Sequence, residues 1–100
     1  MVTIDVRHKV QDFLVWKAAF DAAQEVRRAA GEVSCRIYSV HGSSNDVLVS
    51  MDWVSLESAQ AFLASPKLQD GMSRAGVRGM PHITILDRRD NYHLDAPAQD

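Results

Sequence analysis

The first stretch of the chain alternates. Over residues 2–10, Val2, Ile4, Val6, His8 and Val10 fall on one side and Thr3, Asp5, Arg7 and Lys9 on the other. This is the period of two expected of a half-buried strand. At Asp12 the period changes. Phe13, Trp16, Phe20 and Ala23 follow at helical spacing, with Val15, Ala19, Ala22 and Val26 beside them, which predicts an amphipathic helix running to Gly31. Asp12 suits its N-cap, because a carboxylate there accepts from free backbone N–H groups. Arg27, Arg28 and Gly31 suit its end, where cations meet the helix dipole and glycine takes up the exit turn.

The period of two returns over 33–41, with Val33, Cys35 and Ile37 on one face, and over 46–53, with Val47, Val49, Met51 and Trp53 on one face. The turn-rich HGSSND between them predicts a hairpin. Ser55 predicts the cap of a second helix carrying Leu56, Ala59, Phe62 and Leu63. Ser65-Pro66 reads as a cap with proline at the first helical position, opening a short helix through Leu68 and Met72 that ends near Gly76. Residues 82–87 close as a strand, with Ile83 and Ile85 on one face and His82, Thr84 and Leu86 on the other. The order is βαββαβ, a ferredoxin-like α+β arrangement. Right-handed crossovers then favour a four-stranded antiparallel sheet with strand order 4-1-3-2 and both helices on one face. Residues 1–88 form this domain; residues 89–100 read as a polar tail, either loose or lying on a partner.

One sheet face has no helix. It carries Asp5, Arg7, Arg36, Tyr38, Leu48, Ser50, Asp52, His82, Thr84 and Leu86. Two readings fit: a solvated face, or a face covered by the same face of a second subunit. Tyr38, Val40, Leu48 and Leu86 favour cover, since an open sheet would expose them together. Asp5 and Asp52 with Arg7 and Arg36 then read as ion pairs of a barrel interior or interface, while Arg36 with Tyr38 could instead orient an anionic substrate.

Composition narrows the class. Of 100 residues, 46% are hydrophobic and 24% charged, and 11 basic residues against 13 acidic ones give a net charge of −2. That is a soluble globule and a poor generic nucleic-acid binder. No apolar run is long enough to span a bilayer, so neither nucleic acid nor membrane is expected as a partner. The start, MVTIDVRHKV, lacks a signal-peptide pattern, and the single Cys35 cannot form an internal disulfide. A reducing cytoplasm is the expected location.

His8 stands out on the apolar side of the first strand. A neutral imidazole there can abstract a proton, or it can be a structural histidine bonded to a loop carbonyl. His41 and His82 are expected near the same end of the sheet, which raises the question of a metal site. Geometry argues against one: His82 faces away from His8, and the first two strands lie roughly 9–10 Å apart across the third. No metal is expected. Trp16, Phe20, Met51, Trp53 and Phe62 share the helix–sheet interface, either as plain core or as the lining of a pocket for a flat apolar ligand. The alanine-rich AAFDAAQ and RRAAG leave space there, which favours a cavity. Cys35, on a helix-facing strand position, is expected to be a buried and inert thiol.

The segments RHKVQDFLVWKAAFD, NDVLVSMDW, WVSLESAQAFLASPKLQ and PHITILD resemble the dimeric α/β-barrel superfamily, in particular the antibiotic-biosynthesis-monooxygenase-like proteins, over roughly residues 2–88. The resemblance implies a homodimer whose two sheets form a shared barrel, and a ligand cavity between sheet and helices in each subunit. Haem-degrading members use an Asn on the first strand, a Trp ending the third and a His on the second helix. Trp53 matches the Trp, but VTIDVRHKV has no Asn and Phe62 stands at the His position. Anthrone oxygenases of this superfamily hold a flat phenolic substrate and let its own carbanion react with oxygen, without metal or flavin. Such chemistry needs a dry pocket, a base and oxyanion-stabilising donors.

The expectation is therefore a small homodimer that binds a small, flat, partly apolar molecule. It would act as a cofactor-independent monooxygenase or isomerase, with His8 and His82 as catalytic candidates. Trp16, Phe20, Tyr38, Met51, Trp53 and Phe62 are the substrate-binding candidates. No cofactor is expected. The alternatives are a non-catalytic binding or structural dimer whose pocket is filled by side chains, and a haem-binding protein using His8 or His41.

Overall fold

A computed structural model describes residues 1–94. The elements are β1 (Val2–Val10), α1 (Phe13–Ala22), α2 (Gln24–Ala30), β2 (Glu32–Val40), β3 (Ser43–Trp53), α3 (Leu56–Leu63), α4 (Pro66–Arg74) and β4 (Val77–Asp87). The strands form one four-stranded sheet in the order β2-β3-β1-β4, with every pairing antiparallel. This is the expected ferredoxin-like α+β fold and strand order. Of the tail expected at 89–100, residues 95–100 lie outside the described residues.

Register places the functional face. Ile4, Val6 and His8 sit beside Met51, Val49 and Val47 of β3. On the other flank, Ile4 and Val6 sit beside Ile85 and Ile83 of β4. The period of two turns this whole row toward the helices. Ile4, Val47, Val49, Trp53 and Ala59 are at most 1% exposed, so the core lies under α1 and α3 and along the central strands.

The helices begin as their caps dictate. Asp12 Oδ1 accepts from the N–H groups of Leu14 (2.9 Å) and Val15 (3.2 Å), Ser55 Oγ from Ser58 (3.1 Å) and Ser65 Oγ from Lys67 (3.3 Å). These bonds satisfy donors that a helix N-terminus leaves free. Gly31 ends α2 with φ +124°. A Cβ there would meet Ser58 Cβ and Oγ at 3.0 Å, so glycine serves both the turn and the close approach of α3.

Four local expectations are corrected. The helix expected through 12–31 breaks at Ala23. The Phe20 carbonyl, which a continuous helix would bond to the Gln24 N–H, instead accepts from Ala23 N (3.2 Å) and from Arg27 Nη1 (2.6 Å). The last strand begins at Val77, not His82. Between the pairs Arg7–His82 and Lys9–Arg78, three residues of β4 stand opposite His8 alone. Gly79 (φ +69°) and Pro81 shape this bulge, and both residue types hide a strand from a periodicity reading. Ile83 and Ile85 are each 39% exposed, because β4 is an edge strand incompletely covered by helices. Cys35 is exposed rather than buried, since β2 forms the opposite edge.

Candidate functional site

Between the sheet and all four helices lies an apolar cavity of about 420 Å³, within the size range of small-molecule sites. Its floor is Val6, His8, Val49, Met51 and Ile83, and its roof includes Trp16, Phe20, Phe62, Leu68 and Met72. The space exists because of side-chain size. Ala19 on α1, Ala23 at the break between α1 and α2, Ala30 on α2, Ala61 on α3 and Gly71 on α4 all face it, so a roof of helices packs at its rim and stays hollow beneath.

His8 is the polar group in the floor. It is 7% exposed, and neither Nδ1 nor Nε2 has a hydrogen-bond partner. Its ring meets Trp16 edge-on, with centroids 5.5 Å apart and planes at 67°. Burial holds its pKa below the ordinary 6.5, because removing an imidazolium from water disfavours the charged form. His8 is therefore a neutral base at physiological pH. Leaving its nitrogens unpaired costs about 1–3 kcal/mol, a cost that a ligand group could relieve.

The α1 wall is a stack. Trp16 lies 5.0 Å from Phe20 at 20°, and the Arg27 guanidinium sits over the Phe20 ring, 3.6 Å from its centroid. Arg27 Nε donates to Glu32 Oε1 at 3.1 Å, with both side chains over nine-tenths buried. This cation–π and ion-pair arrangement fixes the ring of Phe20 in the cavity wall.

The sequence-derived candidates separate. His8, Trp16, Phe20, Met51 and Phe62 line one space. Trp53 does not reach it: fully buried, it lies behind Phe62, ring centroids 4.7 Å apart, with its indole N–H unpartnered. Tyr38, 51% exposed, and His82, also exposed, lie on the reverse face, beside Leu48 and Arg7 respectively. Arg27, Ser58, Ser65, Lys67, Leu68 and Met72 border the cavity without having been singled out for it. The signal was present in α4, where Lys67, Leu68, Gly71 and Met72 form one helical stripe, but only packing shows what that stripe covers.

On the reverse face, Asp52 is 2% exposed and fully satisfied. It accepts from Thr3 (2.7 Å), Ser34 (2.7 Å), Arg36 (3.2 Å) and Arg88 (3.1 Å). Burial alone would raise its pKa; the hydrogen bonds from Thr3, Ser34 and Arg36, with the charge of Arg36, outweigh it and hold the carboxyl well below the usual range. Arg7 pairs with Asp46 at 2.9 Å rather than with Asp5 or Asp52 as the sequence suggested, because its register position faces Leu48 and the start of β3.

Among the described residues, no group of three or more His, Cys, Asp or Glu side chains could hold a metal ion, and no helix is long and apolar enough to cross a membrane.

Fold and cavity together define a ferredoxin-like chain with a hollow between sheet and helices. No protein-family model and no curated protein sequence matches this chain. Solved structures do. SnoaB, a cofactor-independent oxygenase from Streptomyces nogalater, aligns with TM-score 0.74 at 15% identity, over 90% of this chain and 94% of that one. A monooxygenase from Streptomyces coelicolor, ActVA-Orf6, solved with the ligand Nanaomycin D, aligns with TM-score 0.69 at 18% identity, over 94% and 92%. Rv0793 from Mycobacterium tuberculosis aligns with TM-score 0.68 at 18% identity, over 90% and 96%. The chain thus has the fold of the antibiotic-biosynthesis-monooxygenase-like proteins.

Proposed function

We propose that this protein binds a flat, largely apolar ring compound in the cavity and oxidises it with dioxygen, using no cofactor. The observation that carries this reading is His8: a buried, neutral, unpartnered imidazole in the floor of an apolar cavity. His8 takes a proton from an activated CH₂ of the substrate. The carbanion left behind combines with O₂, and the resulting peroxide recovers the proton and expels water. The net change is CH₂ + O₂ → C=O + H₂O, in which the carbon is oxidised and both oxygen atoms are reduced. Trp16, Phe20, Met51 and Phe62 hold the ring plane and exclude water. Without oxygen capture, the same proton abstraction would isomerise the substrate. Two structural neighbours, described as a cofactor-independent oxygenase and as a monooxygenase holding Nanaomycin D, support this class of chemistry.

The working unit in this reading is a homodimer that buries the reverse face. Tyr38, Val40 and Leu86 are 38–51% exposed there, and covering them would remove a shared apolar patch from water. His82 and Tyr38 then belong to the subunit interface. A reducing, cytoplasmic location accompanies the reading, supported by the exposed and unpaired Cys35.

The test is oxygen consumption with anthrone as substrate, alongside native mass spectrometry of freshly purified protein for a co-purified small molecule. Wild-type protein is expected to consume oxygen, and His8→Ala to lose about 10²–10⁴-fold in rate, the usual contribution of a positioned base. Equal rates for the two proteins overturn the assignment of His8.

A further inference from the structure

We propose that the cavity's occupant is an aromatic acid, with its anionic group at the α4 mouth, where Lys67 reads it. This rests on the cavity being the binding site argued above and adds the polarity of the ligand.

The lining is electrostatically one-sided. The chain has 13 acidic residues against 11 basic ones, yet no aspartate or glutamate borders the cavity, while Arg27 and Lys67 do. The two cations differ. Arg27 is neutralised by buried Glu32 and donates to the Phe20 carbonyl, so its charge is spent on the wall. Lys67 is exposed, and among the described residues its ammonium makes no ion pair. The nearby acid of its own helix, Asp70, is paired with Arg74 at 3.4 Å. Lys67 sits on the inner stripe of α4 with Leu68, Gly71 and Met72, and Ser65, which also borders the cavity, opens the same helix.

The cavity therefore has two polar poles: the neutral base His8 in the floor of β1, and at the mouth a cation that no described residue pairs. Between them stand Trp16, Phe20, Met51 and Phe62. A neutral ring would engage His8 and the walls but leave Lys67 in water. A carboxylate, sulfonate or phenolate at the mouth would engage both poles and so fix which edge of the ring is presented to His8. A lone cation at an apolar opening also draws anions in from solution.

The experiment uses two fluorescent probes that share one ring system: 1-anilinonaphthalene-8-sulfonate, which is anionic, and N-phenyl-1-naphthylamine, which is not. Lys67→Met is expected to weaken the sulfonate about three- to tenfold and to leave the neutral probe within about twofold. Lys67→Arg is expected to retain sulfonate binding. Added salt should weaken the sulfonate on wild-type protein and have little effect on Lys67→Met. Equal effects of Lys67→Met on both probes, no effect on either, or wild-type binding of the neutral probe alone overturns the proposal. Ala61→Trp, which fills the cavity, tests the underlying reading separately. If it leaves both probes bound as in wild type, or if wild type binds neither, the cavity itself is not the site.

Discussion

On the two central strands each face of the sheet buries a titratable side chain, Asp52 on one and His8 on the other, and the two are treated in opposite ways. Asp52 on the reverse face receives four donors, two from hydroxyls and two from arginines. His8 on the helix face receives none. Both are over nine-tenths buried, so exposure does not explain the contrast. The difference is what surrounds them. β2 and the segment after β4 bring Ser34, Arg36 and Arg88 to Asp52, and a fully satisfied charge is structural. The helices bring no hydrogen-bond partner to His8, and an unsatisfied base beside a cavity is held ready for something that enters.

Substitutions on each face should therefore move stability and activity in opposite directions. The largest effect on stability is expected from Asp52→Ala, which leaves Arg36 and Arg88 without their carboxylate and Thr3 without its acceptor. Breaking a fully buried pair costs about 3–5 kcal/mol; since Arg36 and Arg88 keep 47% and 30% of their side-chain surface in water, about 2–3 kcal/mol is expected in denaturant unfolding. A loss below about 0.5 kcal/mol would show that the network is ornamental.

His8→Phe should do the reverse. It keeps an aromatic edge against Trp16 and removes two orphaned nitrogens, so a gain of about 1 kcal/mol is expected, with activity lost. The gain should depend on pH. Because burial lowers the folded-state pKa of His8 below its ordinary 6.5, the unfolded chain binds the extra proton as pH falls below 6.5 and the folded chain resists it. Wild-type stability thus declines in that window, and His8→Phe should flatten the decline. Unfolding midpoints at pH 7.5 and 5.5 measure it; parallel profiles for the two proteins would contradict the burial argument. Asp52 acts lower down. Its depressed pKa contributes stability that is present above its ordinary 3.8 and is lost as pH falls below that value.

The smallest effect is expected from Gly71→Ala. Gly71 faces the cavity, and a Cβ there would meet nothing within 4 Å. Replacing a mid-helix glycine should stabilise α4 by about 0.5–1 kcal/mol while taking a methyl's worth of room from the ligand. Thermal unfolding together with probe affinity separates the two; weaker probe binding without a stability gain would mean that α4 is strained around this residue.

Much of this contrast was legible before any packing was known. The period of two over 2–10 put His8 on the apolar row and Asp5 and Arg7 on the other, and the small residues of α1 and α2 announced room beneath the helices. What was not legible turns on contacts between elements far apart in sequence. Trp53 and Phe62 looked alike as aromatic neighbours, yet one lines the space and the other backs it. Cys35 and Ile85 had the right parity for burial but fell on edge strands, where parity is not enough.

The sequence by itself determined the element order, the sheet topology and the face on which each strand residue lies, because these follow from local periodicity, caps and the handedness of crossovers. Tertiary structure decided the rest. Only packing could show that the roof stays hollow over His8, that the first helix breaks at Ala23 with the Phe20 carbonyl turned to Ala23 N and Arg27, that a bulge in β4 stands opposite His8, and that Lys67 borders the cavity with no ion-pair partner among the described residues. A pattern assigns a side chain to a face. Whether that face is filled, satisfied or left open depends on the volumes and donors that distant segments bring to it.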